Sequence, residues 1–204
     1  MFLLLIFVVI WLLFWRFVFL RNPTRKTAAK SNELVSPADG KIIAVEPFTQ
    51  NKINILKGNK RTHGLIRTIT QDVAKEGYII SIYMSPLNVH YNRSPITGSI
   101  ISVTHQAGRF FPARSFIDCL QNEKTEILIA NNDLKIKVIQ IAGFLARRIE
   151  TYTKPTDLVK KGAVIGRINL GSQVTVIIPK CVTPSVKISQ NVKAGETIIG
   201  KIDS

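Results

Sequence analysis

The sequence predicts a mainly β fold: a compact sandwich or barrel-like hybrid of short strands and hairpins with little helix, behind one N-terminal membrane helix. Three observations predict it. Residues 1–20, MFLLLIFVVIWLLFWRFVFL, are apolar except for Arg16. The remainder of the 204-residue chain breaks into short apolar runs punctuated by Gly and Pro, as strands joined by tight turns do. Two patterns also recur: S-P-x-x-G-x-I at 36–42 and 94–100, and V-K-x-G-x-x-I-G-x-I from Val159 and, with one extra residue, from Val192. Repeated units of strand and glycine turn suit stacked hairpins. The chain thus divides into an anchor (1–20), a basic linker (21–34) and a β-rich domain (35–204).

About 20 apolar residues at ~1.5 Å rise cross a ~30 Å hydrocarbon core. Arg16 lies close enough to one end to snorkel, and Trp11 and Trp15 suit the interface. The nearby cations, Arg16, Arg21, Arg25, Lys26 and Lys30, all fall on the C-terminal side, which puts the body on the cytoplasmic side of a cell membrane. A cleaved signal peptide would need a positive leading region and a small-residue cleavage site just after the apolar run, and neither is present. A re-entrant segment is the remaining alternative.

Within the body, Pro37-Ala38-Asp39-Gly40 is turn chemistry, followed by a strand over Lys41–Val45. In such a turn Asp39 is first of all a backbone-bonding residue. Residues 48–76 give a mixed, basic stretch of strand-like pieces, with His63 in a loop. Tyr78–Met84 is a strand apolar on both faces and therefore buried. It runs into a loop bracketed by Pro86 and Pro95 that carries His90 and Arg93, a rigidly positioned place for a site. One short helix is expected between Gly108 and Thr125, with Phe110, Phe111 and Phe116 packing in the core, or as the alternative forming a lipid-facing lip. Strands follow at 126–130, 134–142 and 163–169. Arg167 to Val176 reads as strand, Gly171-Ser172 turn and strand.

The net charge of +15 calls for an anionic partner. No zinc finger, basic recognition helix or aromatic RNA-binding sheet is evident, so an anionic phospholipid membrane is expected and nucleic acid is not. Cys119 and Cys181 have no metal-ligand spacing, and two free, buried thiols are expected, with a single bridge as the alternative. His63, His90 and His105 likewise lack ligand spacing, so no metal is expected. The repeats are similar to the turns of biotinyl and lipoyl carrier domains, but no Met-Lys-Met acceptor turn exists here.

Five stretches taken together give a more specific likeness. They are FVFLRNP at 17–23, SPADGKI at 36–42, MSPLNVHYNRSPITG at 84–98, IAGFLARRI at 141–149 and KKGAVIGRINLGSQVTVIIP at 160–179. In this order they resemble the phosphatidylserine decarboxylase family in its short, anchored, pyruvoyl-dependent form. The resemblance implies self-cleavage of the Gly171–Ser172 bond into chains 1–171 and 172–204, which stay together as a heterodimer, with higher assembly left open. Ser172 Oγ would attack the Gly171 carbonyl to form an ester. Elimination and loss of ammonia would then convert Ser172 into the pyruvoyl cofactor that decarboxylates phosphatidylserine to phosphatidylethanolamine. Matching the motifs makes His90 the acid-base group and Asp39 the carboxylate that orients it.

Two positions depart from the family pattern. Arg93 stands where many longer members carry a second histidine; it cannot act as a neutral base, but it could grip a substrate carboxylate or phosphate. The cleavage motif Leu-Gly-Ser-Gln is a variant that keeps the glycine and the nucleophile. The alternatives are the same chemistry on another serine-headgroup lipid, and a non-catalytic, membrane-tethered β-sandwich binding module.

Overall fold

The computed structural model describes residues 2–49, 60–112, 115–132, 134–144, 148–169 and 171–203. Leu170, residues 145–147 of the fourth motif and residues 50–59 of the basic stretch lie outside these. The chain opens with α1 (Phe2–Leu13), continued by a π-helix (Phe14–Phe19). Next come β1 (Glu33–Val35), β2 (Gly40–Thr49), α2 (Lys60–Thr70), β3 (Glu76–Met84), β4 (Tyr91–Arg93) and β5 (Gly98–Gln106). The four-residue α3 (Phe116–Cys119) precedes β6 (Lys124–Asn131), β7 (Leu134–Ile141), β8 (Ile149–Thr151), β9 (Leu158–Val159) and β10 (Val164–Ile168). The C-terminal part supplies β11 (Ser172–Pro179), β12 (Val182–Pro184), β13 (Asn191–Val192) and β14 (Ile198–Ile202).

Eight strands form one curled sheet in the order β13-β2-β3-β11-β7-β6-β5-β9, and two three-stranded sheets, β1-β14-β12 and β4-β10-β8, pack against it. The expected mainly β, sandwich-like body is thus observed. Strands β3 and β11 sit at its centre, antiparallel from Ser172↔Met84 to Pro179↔Gly77. Their apolar residues face both ways because both sheet faces are covered. Ile80, Ile82, Val174 and Val176 meet Ile165, Ile168 and Ile199 of the small sheets, while Ile79 and Ile177 meet Ile66 and Ile69 of α2. Each fully buried Ile or Val adds about 1.5–3 kcal/mol. The repeats noted in the sequence are equivalent in space: β1 pairs with β14 as β4 pairs with β10, and β2 pairs with β13 as β5 pairs with β9.

Several expectations are corrected. The basic stretch contributes the helix α2, not strand-like pieces, so His63 lies in a helix; Ile66 and Ile69, one turn apart, bury its apolar stripe. Of the three phenylalanines, Phe116 is in the core, whereas Phe110 and Phe111 are exposed. There the Asn122 side chain bonds both the N–H and the C=O of Phe111 at 2.9 Å, and Arg109 lies over the Phe111 ring. Both cysteines are free; Cys119 is buried, which pushes its thiol up to about 12, but Cys181 is exposed at the turn after β11. The apolar N-terminus is helical in two parts. At Phe14 the ladder widens to π spacing and closes with Leu20 N–H donating to the Trp15 carbonyl. Among the described residues no helix is long and apolar enough to cross a membrane.

Strand β10, Gly171 and β11 also do not make a hairpin. β10 pairs with β4 and β8, and β11 with β3 and β7, so the chain crosses from a small sheet to the large one at residues 169–171.

Candidate active site

The crossing sets the geometry of the Gly171–Ser172 bond. Gly171 has φ +60°, the left-handed region, and a Cβ there would meet nothing within 4 Å. Glycine is needed for backbone conformation, not for room. Ser172 is the first residue of β11 and is fully buried. Its hydroxyl donates to Met84 Sδ at 3.5 Å, a weak acceptor, so little holds the oxygen in place.

His90 lies in the loop that leaves β3 and is also fully buried, with neither ring nitrogen hydrogen-bonded among the described residues. Its backbone carbonyl accepts Ile168 N–H at 3.2 Å, which ties the loop to β10 just before the crossing. Burial lowers its pKa to about 4; the nearby Asn88 carbonyl opposes this, and the charges of Arg21 and Arg167 reinforce it. At neutral pH the imidazole is therefore neutral, as a base requires. The N-terminal segment closes over this ring. Phe19 is fully buried with its centroid 4.2 Å from that of His90, and Trp15 stacks on Phe19 at 4.5 Å. Arg21 fastens the arrangement by donating to the carbonyls of Val18 and Leu87.

Asp39 and Arg93 form a second cluster. Asp39 Oδ2 pairs with Arg25 at 2.9 Å and Oδ1 accepts Ala194 N–H at 2.7 Å, while Arg25 also reaches Glu196 at 3.3 Å. Arg93 donates to the carbonyl of Gly162 at 2.9 Å, to Asn22 Oδ1 at 2.8 Å and to the carbonyl of Pro23 at 3.1 Å. Burial lowers the pKa of this guanidinium, helped by the charge of Arg25 and opposed by Asp39 and Glu196. The structure thus brings Asp39 together with Arg93, and His90 beside the strand leading to Ser172. The expected hydrogen bond between Asp39 and His90 is not formed, because Arg25 and Ala194 engage the carboxylate instead.

Comparison with known proteins bears on this arrangement. The sequence profile described as phosphatidylserine decarboxylase matches residues 12–200, nearly the whole chain and both clusters. The chain belongs to the phosphatidylserine decarboxylase family. A phosphatidylserine decarboxylase proenzyme of Chlorobium limicola is 38% identical over 94% of this chain and 81% of its own length. One from Chlorobium chlorochromatii is 36% identical, covering 96% and 82%. A Methanocaldococcus jannaschii protein provisionally named archaetidylserine decarboxylase proenzyme is 35% identical, covering 92% and 90%.

In this decarboxylase fold the sequence reading missed Phe19 as a neighbour of His90, and a row of polar side chains near Ser172, the buried Asn92 and Gln140 and the half-buried Thr151. A lone glutamine inside the apolar run Val138-Ile139-Gln140-Ile141-Ala142 was the available signal for the second.

Proposed function

We propose that this chain is a self-processing decarboxylase of phosphatidylserine, which cleaves its own Gly171–Ser172 bond and turns Ser172 into a pyruvoyl group. The observation carrying this reading is the bond itself: a left-handed Gly171 next to a fully buried Ser172 whose oxygen, among the described residues, is held by a thioether alone. The surroundings fit the group, since a fully buried position beside Met84 suits a residue that loses its hydroxyl and its amine to become a methyl ketone. Once formed, the pyruvoyl group supplies an electrophile for the headgroup amine and an electron sink for departing CO2.

The remaining work falls to the chain's own residues. Neutral His90 takes the Ser172 hydroxyl proton and later returns a proton to the decarboxylated carbon. Phe19 excludes water from its ring. Asp39 acts as a positioning residue: through Arg25 and Ala194 it holds the linker and the glycine turn, and so the segment that ends on His90. Arg93 pins the same linker through Asn22 and Pro23, and substrate binding by it would require release of those bonds. Fragment 172–204 contributes the central strand β11 and also β12 to β14, so it stays bound to 1–171 through β1, β2, β3 and β7 as a heterodimer.

The exposed apolar side chains of α1, Phe2 and those from Leu4 to Leu13, are the surface that would enter an anionic membrane, with Arg21, Arg25, Lys26 and Lys30 on the cytoplasmic side. The archaeal relative favours a second reading of the substrate, the same headgroup chemistry on an ether lipid. Intact mass of the purified protein tests the main proposal. Two chains are expected, the smaller blocked to Edman sequencing, and a single unbroken chain would refute it. Release of labelled CO2 from serine headgroups on ester and ether backbones separates the two substrates.

A further inference from the structure

Near Ser172 lies a row of polar groups in an otherwise apolar core. Thr151 Oγ1 donates to Gln140 Oε1 at 3.3 Å, Gln140 Nε2 donates to Asn92 Oδ1 at 2.8 Å, and Asn92 Nδ2 contacts Met84 Sδ at 3.7 Å. Asn92, Gln140 and Met84 are all fully buried. The thioether has no hydrogen to offer, so its neighbour must be the amide N–H of Asn92. That end of the row fixes both amide orientations, since turning them over would set a carbonyl oxygen against the sulfur. The fold makes room for the row. A Cβ on Gly166 of β10 would stand 2.7 Å from Gln140 Nε2 and 2.6 Å from the carbonyl of Glu150.

Two donors therefore converge on one sulfur: the Ser172 hydroxyl at 3.5 Å and the Asn92 amide at 3.7 Å. Sulfur is a poor acceptor, so among the described residues this amide N–H, like the Ser172 hydroxyl, meets only a weak partner there. We propose that Asn92 is a hydrogen-bond donor to Ser172 Oγ in the elimination step of self-cleavage, with Gln140 and Thr151 as its positioning residues. This rests on the reading of Gly171–Ser172 as the scissile bond.

The chemistry defines when the donor matters. After the acyl shift, Oγ bridges the Gly171 carbonyl carbon and the Ser172 Cβ. A base removes the Ser172 Cα proton, and the C–H electrons form the Cα=Cβ bond. The Cβ–Oγ bond breaks with its pair on Oγ, which leaves as part of the Gly171 carboxylate. Negative charge thus develops on an atom that shares the Met84 sulfur with the Asn92 amide, and the Asn92 N–H has only that weak acceptor to give up in turning to it. Because Oγ departs with Gly171, the donor serves maturation and not lipid turnover.

Asn92→Leu keeps the side-chain volume and removes the donor. In pulse-labelled full-length protein, cleavage should slow by roughly 10²-fold, the effect of losing one donor to a developing oxyanion. The chain should also stall as the ester: hydroxylamine should release fragment 172–204 with an intact, sequenceable Ser172. The blocked fraction that does form should turn over at the wild-type kcat per pyruvoyl chain. Wild-type cleavage kinetics, or slow cleavage with nothing released by hydroxylamine, would overturn the proposal. A wild-type chain that never breaks at this bond would instead refute the scissile-bond reading. Thr151→Val, at the half-buried far end, tests the row if Asn92→Leu fails to fold. It should slow cleavage several-fold with the same hydroxylamine-sensitive species, and an unchanged rate would count against the row.

Discussion

The two copies of the S-P-x-x-G unit share a backbone but differ in what they hold. Ser36 and Ser94 each donate N–H to the partner turn at 2.8 Å, to the carbonyls of Thr197 and Ala163, and each accepts from a glycine there, Gly195 and Gly162, at 2.8 Å. The copies also clasp each other, with Val35 N–H on the carbonyl of Pro95 and Arg93 N–H on that of Pro37. Asp39 Oδ1 accepts Ala194 N–H at 2.7 Å in one copy, and Thr97 Oγ1 accepts Lys161 N–H at 3.0 Å in the other. A neutral threonine thus makes the same backbone bond, so that bond is architecture. What sets the first copy apart is the charge of Asp39, met by Arg25 from the N-terminal segment. What sets the second apart is its partner turn at Gly162-Ala163, from which β10 runs on to Gly171–Ser172. One copy holds the segment that covers His90, and the other pairs with the turn that leads to the bond proposed as scissile.

The difference is broken most completely by Ser172→Ala, which removes what the second copy's partner turn leads to. A single uncleaved chain without decarboxylase activity is expected, and a break at the same bond on a denaturing gel would overturn the mechanism. His90→Gln should lower cleavage and turnover by about 10²–10⁴-fold, measured by fragment appearance and CO2 release.

Asp39 separates architecture from charge. Asp39→Ala leaves the Ala194 N–H without its acceptor and Arg25 with Glu196 alone, and should cost about 2–3 kcal/mol in urea unfolding. Asp39→Thr copies the second unit and should be about 1–2 kcal/mol less damaging, since it keeps the backbone bond. Equal losses would show that the shared bond contributes nothing.

Acid stability probes the cover over His90. Unfolded, the ring takes its proton near pH 6.5; folded, only near about 4. The unfolded state therefore binds more protons between these values, and stability falls as pH drops from about 6.5 to 4, by roughly 3 kcal/mol. Phe19→Ala should raise the His90 pKa in NMR titration and flatten this slope. The smallest effect is expected at the crossing, where Gly171→Ala should cost about 1–2 kcal/mol for its positive φ and nothing for space.

The legible parts of the fold share a physical reason. Strands β3, β6, β7, β10 and β11 were readable because alternation and Gly or Pro boundaries are local. The repeats were readable as text, and their equivalence in space followed. Ser172 and His90 entered through motifs, and motifs name residues without naming their contacts. The motif reading joined Asp39 to His90, whereas the fold joins Asp39 to Arg25, 14 residues earlier in the chain. Asn92 lay inside a quoted motif and Gln140 inside a predicted strand, yet nothing local said that their amides meet.

By itself the sequence determined the β-rich body, the turns, the apolar N-terminus and the family, because propensity, periodicity and motif order act over a few residues at a time. Only the tertiary structure decided that Gly171–Ser172 joins two sheets instead of closing a hairpin, that Phe19 lies on His90, and that Arg93 and Asp39 hold the linker. Those outcomes depend on which distant surfaces bury each other, and no short stretch of chain encodes that.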